Sequence, residues 1–181
     1  SALPVSVAFS TANGTATAGS DYTANAGTLN FAAGVISQTI TVAIANDTVY
    51  EGAETFNVNL STPSNATLGT ATSTATIIDD GTGIGGTNSD IPSLSVNSVS
   101  VLEYVGYAVF TVSLSNASAL ATTVNLGLAN GTAVTPSDFT NSIEVSTNGG
   151  ATWVTATSAT LVAGATSLLA RVPIVNGSLA E

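Results

Sequence analysis

The sequence predicts an all-β protein of antiparallel sandwiches, and three observations predict it. Apolar residues alternate with a period of two, turn-forming residues punctuate these runs at short intervals, and the chain repeats itself. Side chains on a strand point alternately to its two faces, so period-two alternation marks a strand with one face in a core. Val5, Val7 and Phe9 share one face in this way, as do Ile40, Val42 and Ile44, then Phe56, Val58 and Leu60. The pattern returns in Phe110, Val112 and Leu114, in Val124, Leu126 and Leu128, and in Leu168, Ala170, Val172 and Ile174. No window of a dozen residues carries a helical stripe. Pro173 lies inside a run and lacks an N–H, which predicts an edge strand or a bulge there.

The repeat sets the organisation. Ser1-Ala2-Leu3 recurs as Ser118-Ala119-Leu120, an offset of 117 that runs without a gap. Asn13-Gly14-Thr15-Ala16 matches Asn130-Gly131-Thr132-Ala133, and Ser20-Asp21-Tyr22-Thr23 matches Ser137-Asp138-Phe139-Thr140. Further on the offset is 130: Phe31 to Gly34 pairs with Leu161 to Gly164, Val42 to Asn46 with Val172 to Asn176, and Glu51 with Glu181. The change implies a 13-residue insertion between Thr140 and Leu161. Two alternating runs flank Asn148-Gly149 there, which predicts an extra hairpin that the second sandwich does not need.

The expected domains are residues 1–81, a sandwich lacking its first strands, and 91–181, a sandwich lacking its last strands. Residues 82–90, Gly-rich and without apolar periodicity, read as the linker. Such half-domains expose backbone edges. Either a longer parent chain continues beyond both ends, or neighbouring subunits complete the halves by strand addition.

Composition narrows the function. Of 181 residues, 44% are apolar and only 7% charged, so a packed core is possible and disorder is rejected. Eleven acids face a single cation, Arg171, for a net charge of −10. That balance excludes nucleic-acid partners and an anionic membrane surface. The absence of Cys, His and Met removes thiol catalysis, disulfides, structural zinc and haem. No stretch reads as a membrane span. Nothing activates the many hydroxyls, so the chain is not expected to be an enzyme.

The acids gather at strand ends. Asp21 follows the Gly14 to Gly19 turn, Asp47, Glu51 and Glu54 crowd one loop, Asp79-Asp80 ends the first copy, and Asp90 closes the linker. Glu103, Asp138 and Glu181 belong to the second copy, and only Glu144 stands apart in the insertion. Calcium suits such a set, because it takes six to eight oxygens from flexible loops, whereas magnesium wants stricter geometry and softer metals want His or Cys.

Four segments resemble the Calx-beta motif of sodium–calcium exchangers and giant bacterial surface proteins. They are Asn13-Gly14-Thr15-Ala16-Thr17-Ala18-Gly19-Ser20-Asp21-Tyr22, Gly27-Thr28-Leu29-Asn30-Phe31, Val42 to Asp47 through Glu51-Gly52-Ala53-Glu54-Thr55-Phe56, and Ala75 to Gly81. Val145 to Trp153 is similar to a segment of large adhesin repeats. The resemblance implies seven-stranded immunoglobulin-like sandwiches with calcium ligands at one pole. Carried over by position, these are Asp21, Asp47, Glu51, Asp79 and Asp80, with Glu54 also in the motif, and Glu103, Asp138 and Glu181 in the second copy. The sequence departs from the family where Gly177 replaces the counterpart of Asp47, and where Asn46 and Asn176 stand in place of frequent Asp.

The expected function is a calcium-stabilised structural repeat of an extracellular, cell-surface adhesin or filament, joined to neighbouring repeats or subunits. The alternative is a module for a surface glycan or protein ligand, with Trp153 the aromatic candidate; packing is the commoner use of a lone Trp. Arg171 is expected as an exposed strand residue. Regulatory calcium sensing suits the near-absence of Lys less well.

Overall fold

The computed structural model describes residues 3–82 and 88–177. Among these the protein is all-β, with every strand pair antiparallel, one short 3-10 turn at Glu103–Val105 and no α-helix. The chain divides into two compact units, Ser1–Asp47 with Glu51–Ser89, and Thr48–Tyr50 with Asp90–Glu181. Most of the expected linker, residues 83–87, lies outside the described residues.

The first unit holds one four-stranded sheet in the order β2-β1-β3-β4, from β1 (Val5–Asn13), β2 (Ala26–Phe31), β3 (Glu54–Ser64) and β4 (Thr72–Ile77). β1 and β3 are the inner strands, β1 paired with β2 and β3, and β3 with β1 and β4. Its core is small: Ala16, Tyr22 and Phe56 are buried, with Val42, Val58, Ala75 and Ile77 packed around them. Tyr22 stacks on Phe56 with ring centroids 4.4 Å apart.

The second unit holds two sheets. The larger runs β5-β6-β11-β8-β9, from β5 (Leu94–Val96), β6 (Tyr107–Leu114), β8 (Glu144–Ser146), β9 (Val154–Thr155) and β11 (Ser167–Pro173). The smaller pairs β7 (Thr122–Asn125) with β10 (Ser158–Leu161). Between them lies a continuous core of Val112, Leu114, Val145, Leu161, Leu168, Ala170 and Val172 with Phe139 and Ile143, against which Val124 and Leu126 pack. This is the sandwich architecture the alternation predicts.

Four local expectations need correction. The strand expected through Ile40, Val42 and Ile44 is absent: residues 36–43 form no ladder, and only Ile44 makes an isolated bridge, to Tyr22. Its counterpart in the second unit is β11, which is held on both edges by β6 and β8. Alternation alone does not make a strand; backbone groups need partners.

Pro173 is not on an edge strand. β11 is internal, and at its last residue, Pro173, it pairs with β6 on one side while the Pro173 carbonyl accepts from Thr140 N at 3.1 Å on the other.

The hairpin within 140–161 exists, with Glu144 opposite Thr155 and Val145 opposite Val154. It is no dispensable appendage, however. β8 also pairs with β11, and Val145 and Ile143 are core residues. Asn148-Gly149 does not form a bare two-residue turn either. Residues 147–153 make a longer loop, in which Asn148 Oδ1 accepts from Ser146 Oγ and Thr152 N, and both Gly149 and Gly150 have positive φ.

Arg171, expected exposed, is largely covered. Its guanidinium lies 4.0 Å from the centre of the Tyr107 ring and 4.2 Å from that of Trp153, and its Nε donates to Glu144 Oε2 at 2.6 Å. Cross-strand register puts Glu144 directly opposite Arg171, which explains why the one acid of the insertion sits there.

Candidate metal centre

The site in the first unit is built by the turn that follows β1. Gly14 leaves β1 against β3 so closely that a Cβ there would come 2.4 Å from the Thr55 carbonyl oxygen. Only glycine fits. Ala16 then donates its N–H to that same carbonyl at 2.9 Å, and Thr15 Oγ1 accepts from Thr55 N at 2.8 Å. Asn13 organises the return: its Oδ1 accepts from Ala18 N at 2.9 Å and from the Tyr22 hydroxyl at 2.6 Å. The motif Asn-Gly-Thr-Ala-Thr-Ala-Gly-Ser-Asp-Tyr is thus a folded turn that delivers one buried carboxylate, Asp21.

Asp21 Oδ2 accepts from Thr17 N at 2.6 Å, and this bond holds its carboxyl below the usual aspartate range. Its backbone is tied down as well, with Ala45 N donating to Asp21 O at 2.9 Å. Glu54, the first residue of β3, and Glu51, three residues before it, bring their carboxylates to the same place. Oxygens of Asp21, Glu51 and Glu54 lie within 4.8 Å of one another. Burial, and then the charges of Asp21, Asp47 and Asp79, raise the Glu51 carboxyl above its ordinary value. Burial, and then Asp21 and Glu51, raise that of Glu54. Three acids crowded in this way without a cationic side chain form a negative cluster, suited to a hard cation with oxygen ligands.

The remaining expected ligands divide into two groups. Asp79 belongs to the surroundings of the cluster: its Oδ2 accepts from Glu51 N at 2.9 Å and so fixes that loop. Asp47 is exposed, and its charge reaches Glu51. Asp80 Oδ1 is occupied by Thr82, accepting from its N at 2.9 Å and its hydroxyl at 2.5 Å, which lowers its carboxyl. In the second unit Asp138 repeats the Asp21 turn, accepting from Val134 N at 2.6 Å, while Asn130 Oδ1 accepts from Thr135 N as Asn13 does from Ala18. Glu103 lines the same cavity as Asp138. Glu181 lies outside the described residues. Sequence reading missed Asn13, whose signal was its recurrence as Asn130 in front of the turn glycine.

Comparison with protein-family models matches the Calx-beta domain twice, over residues 3–81 and 87–155. The chain belongs to the Calx-beta domain family. The turn that carries Asp21 and the β3 start that carries Glu54 both fall within the first Calx-beta match. Among solved structures, the apo-form Calx CBD1 domain is similar at 33% identity, covering 44% of this chain and 72% of that one, with a TM-score of 0.42. CBD12 from CALX1.2 and the calcium binding domain CBD12 of CALX1.1 are each 24% identical, with TM-scores of 0.42 and 0.43, over 98% and 97% of this chain. The chain spans 65% and 64% of the length of those two. Comparison with curated proteins gave no match.

Proposed function

We propose that this chain is a calcium-stabilised structural repeat of an extracellular adhesin or filament. The observation that carries the reading is the convergence of Asp21, Glu51 and Glu54 on one point of the first unit, with no cationic side chain in the cluster. Calcium would be held by these three carboxylates, with Asp47 and Asp79 adding negative potential. When bound, it would replace mutual repulsion among the acids with attraction. Turn and β3 would then be tied together, and the loop before β3 with them. Membership of the Calx-beta family supports calcium as the ion. The extracellular setting is supported by the near-absence of basic side chains, Arg171 being the sole Lys or Arg of the sequence.

No catalysis is assigned to the chain. The ligand-binding alternative loses its aromatic candidate, because the Trp153 ring is stacked on Arg171 and its Nε1 donates to Gly150 O at 3.0 Å. Calcium titration calorimetry of the whole chain and of Asp21→Asn tests the reading. Extracellular modules bind calcium at roughly 0.1–1 mM. Binding in that range that is lost in Asp21→Asn is the expected result, and no heat from the intact chain refutes it.

A further inference from the structure

Asparagine is followed by glycine at Asn13, Asn130, Asn148 and Asn176. Such a step can modify itself. The glycine nitrogen attacks the asparagine Cγ, the Cγ–Nδ2 bond breaks, and ammonia leaves with the glycine's proton. Water then opens the resulting succinimide to aspartate or isoaspartate. Glycine favours the attack because it carries no Cβ to obstruct it. The side-chain amide must also swing onto that nitrogen, so bonds that hold Oδ1 or Nδ2 elsewhere have to break first.

Asn176 borders residues outside the described ones. The other three are exposed, so water reaches each, and they differ in how the amide is held. Asn148 is held most: its Oδ1 accepts from Ser146 Oγ at 2.8 Å and Thr152 N at 3.0 Å, and its Nδ2 donates to Thr152 Oγ1 at 2.8 Å. Asn13 Oδ1 accepts from Ala18 N at 2.9 Å and from the Tyr22 hydroxyl at 2.6 Å. The equivalent Asn130 has one such bond among the described residues, from Thr135 N at 3.1 Å. One ring makes the difference. At the repeat offset Phe139 stands where Tyr22 does, and it has no hydroxyl to donate. The attacking atom, Gly131 N, donates to Ala133 O at 3.1 Å, a bond given up with its proton.

We propose that Asn130 is a site of spontaneous deamidation in the second unit, released by the exchange of the tyrosine hydroxyl for Phe139. The product alters an acidic turn. Asp138 Oδ2 accepts from Val134 N, and Asn130 Oδ1 accepts from the next amide, Thr135 N. The aspartate product therefore sets a second carboxylate beside that of Asp138. The isoaspartate product lengthens the backbone of the turn instead.

The test incubates the whole chain at mildly alkaline pH and follows conversion at each Asn-Gly step by peptide mass, with isoaspartate counted by enzymatic methylation. One hydrogen bond corresponds to a factor of about five in rate, so Asn130 is expected to convert about fivefold faster than Asn13, with Asn148 slowest. Phe139→Tyr is expected to slow Asn130 by about fivefold. Tyr22→Phe, which keeps the ring that stacks on Phe56, is expected to speed Asn13 by about the same factor. In denaturant the three rates should converge. Asn130 no faster than Asn148 overturns the proposal, as does a preference that persists in denaturant. An unmoved rate in either folded ring variant overturns it too, and Tyr22→Phe alone decides if Phe139→Tyr does not fold.

Discussion

The two units carry the same repeat motifs, and among the described residues different segments of the repeat form ladders in each. The first unit completes the β2-β1-β3-β4 sheet and leaves residues 36–43 without a ladder, with Ile36 92% exposed. The second turns the equivalent segment into β11, between β6 and β8, while among the described residues β7 pairs with β10. Segments at equivalent repeat positions, both alternating, thus lie in coil in one unit and in a strand in the other. The same difference separates the acidic sites. Asp21 and Asp138 sit in the same turn and each accepts a backbone N–H at 2.6 Å; among the described residues, carboxylates from the start of β3 and the loop before it join Asp21.

Removing the inserted hairpin is expected to have the largest effect. Deleting residues 142–155 takes away β8, β9 and the buried Ile143 and Val145. Loss of protection across Ser167–Pro173 in hydrogen exchange is the expected outcome, with the first unit unchanged. Retained protection would show that the insertion is an ornament after all.

Phe56→Ala sharpens the comparison from the other side. It removes the ring stacked on Tyr22 from a core of three buried residues, and large-to-small changes of this kind cost about 3–5 kcal/mol. The first unit should lose amide protection. The fluorescence of Trp153, the sole Trp and a reporter of the second unit alone, should keep its unfolding midpoint. A shifted Trp153 midpoint would mean that the units do not fold independently.

Arg171→Lys is a smaller change, confined to the second unit. Lysine keeps the charge but loses the flat stack between Tyr107 and Trp153 and the aligned bond to Glu144. A loss of about 1 kcal/mol is expected from the cation–π contacts, read as a lower Trp153 midpoint in denaturant. An unmoved midpoint would mean that the stack contributes nothing.

The smallest effect is the pH response of the metal-free first unit. Glu51 and Glu54 have carboxyls raised above 4.5 by burial and neighbouring acids. Their contribution to stability is present below that ordinary value and lost as pH rises through the raised one. Asp21 is lowered from 3.8, so its contribution is present above 3.8 and is lost as pH falls through its lowered value. Metal-free protein should therefore gain stability as pH falls towards 4.5 and lose it again below 3.8. Calcium should abolish the gain, because the ion holds the glutamates ionised. Denaturant midpoints across this range, with and without chelator, check it.

Much of this was legible in the sequence because it rests on local pattern. The period-two runs marked β1, β3, β6 and β11, and the Gly-rich turn ending in an acid marked Asp21. What was not legible depended on distant partners. Residues 36–43 alternate well enough for a strand, but bonds such as Thr23 N to Ala43 O and Asn25 Nδ2 to Thr41 O do not add up to a ladder. Val145 could not be read as core, because only pairing of β8 with β11 turns it inward. Arg171 alternates with Val172, so it reads as exposed; the rings that cover it come from positions 107 and 153, on other elements. Convergence of Glu51 and Glu54 on Asp21 likewise needed β3 in place beside β1, whereas Asp80 turned instead to its neighbour Thr82.

The central claim is that the Asp21, Glu51 and Glu54 cluster holds calcium and thereby ties the turn to β3. Hydrogen exchange at the Thr17 and Glu51 amides tests it most directly, since these N–H groups bond to the carboxylates of Asp21 and Asp79. At calcium a hundredfold above its dissociation constant the linked stabilisation is about 2.7 kcal/mol, roughly a hundredfold slowing of exchange wherever opening releases the ion. That slowing is expected at both amides, reversed by chelator and absent in Glu54→Gln. Exchange at Thr17 and Glu51 that is unchanged by calcium, or slowed equally in Glu54→Gln, would contradict it.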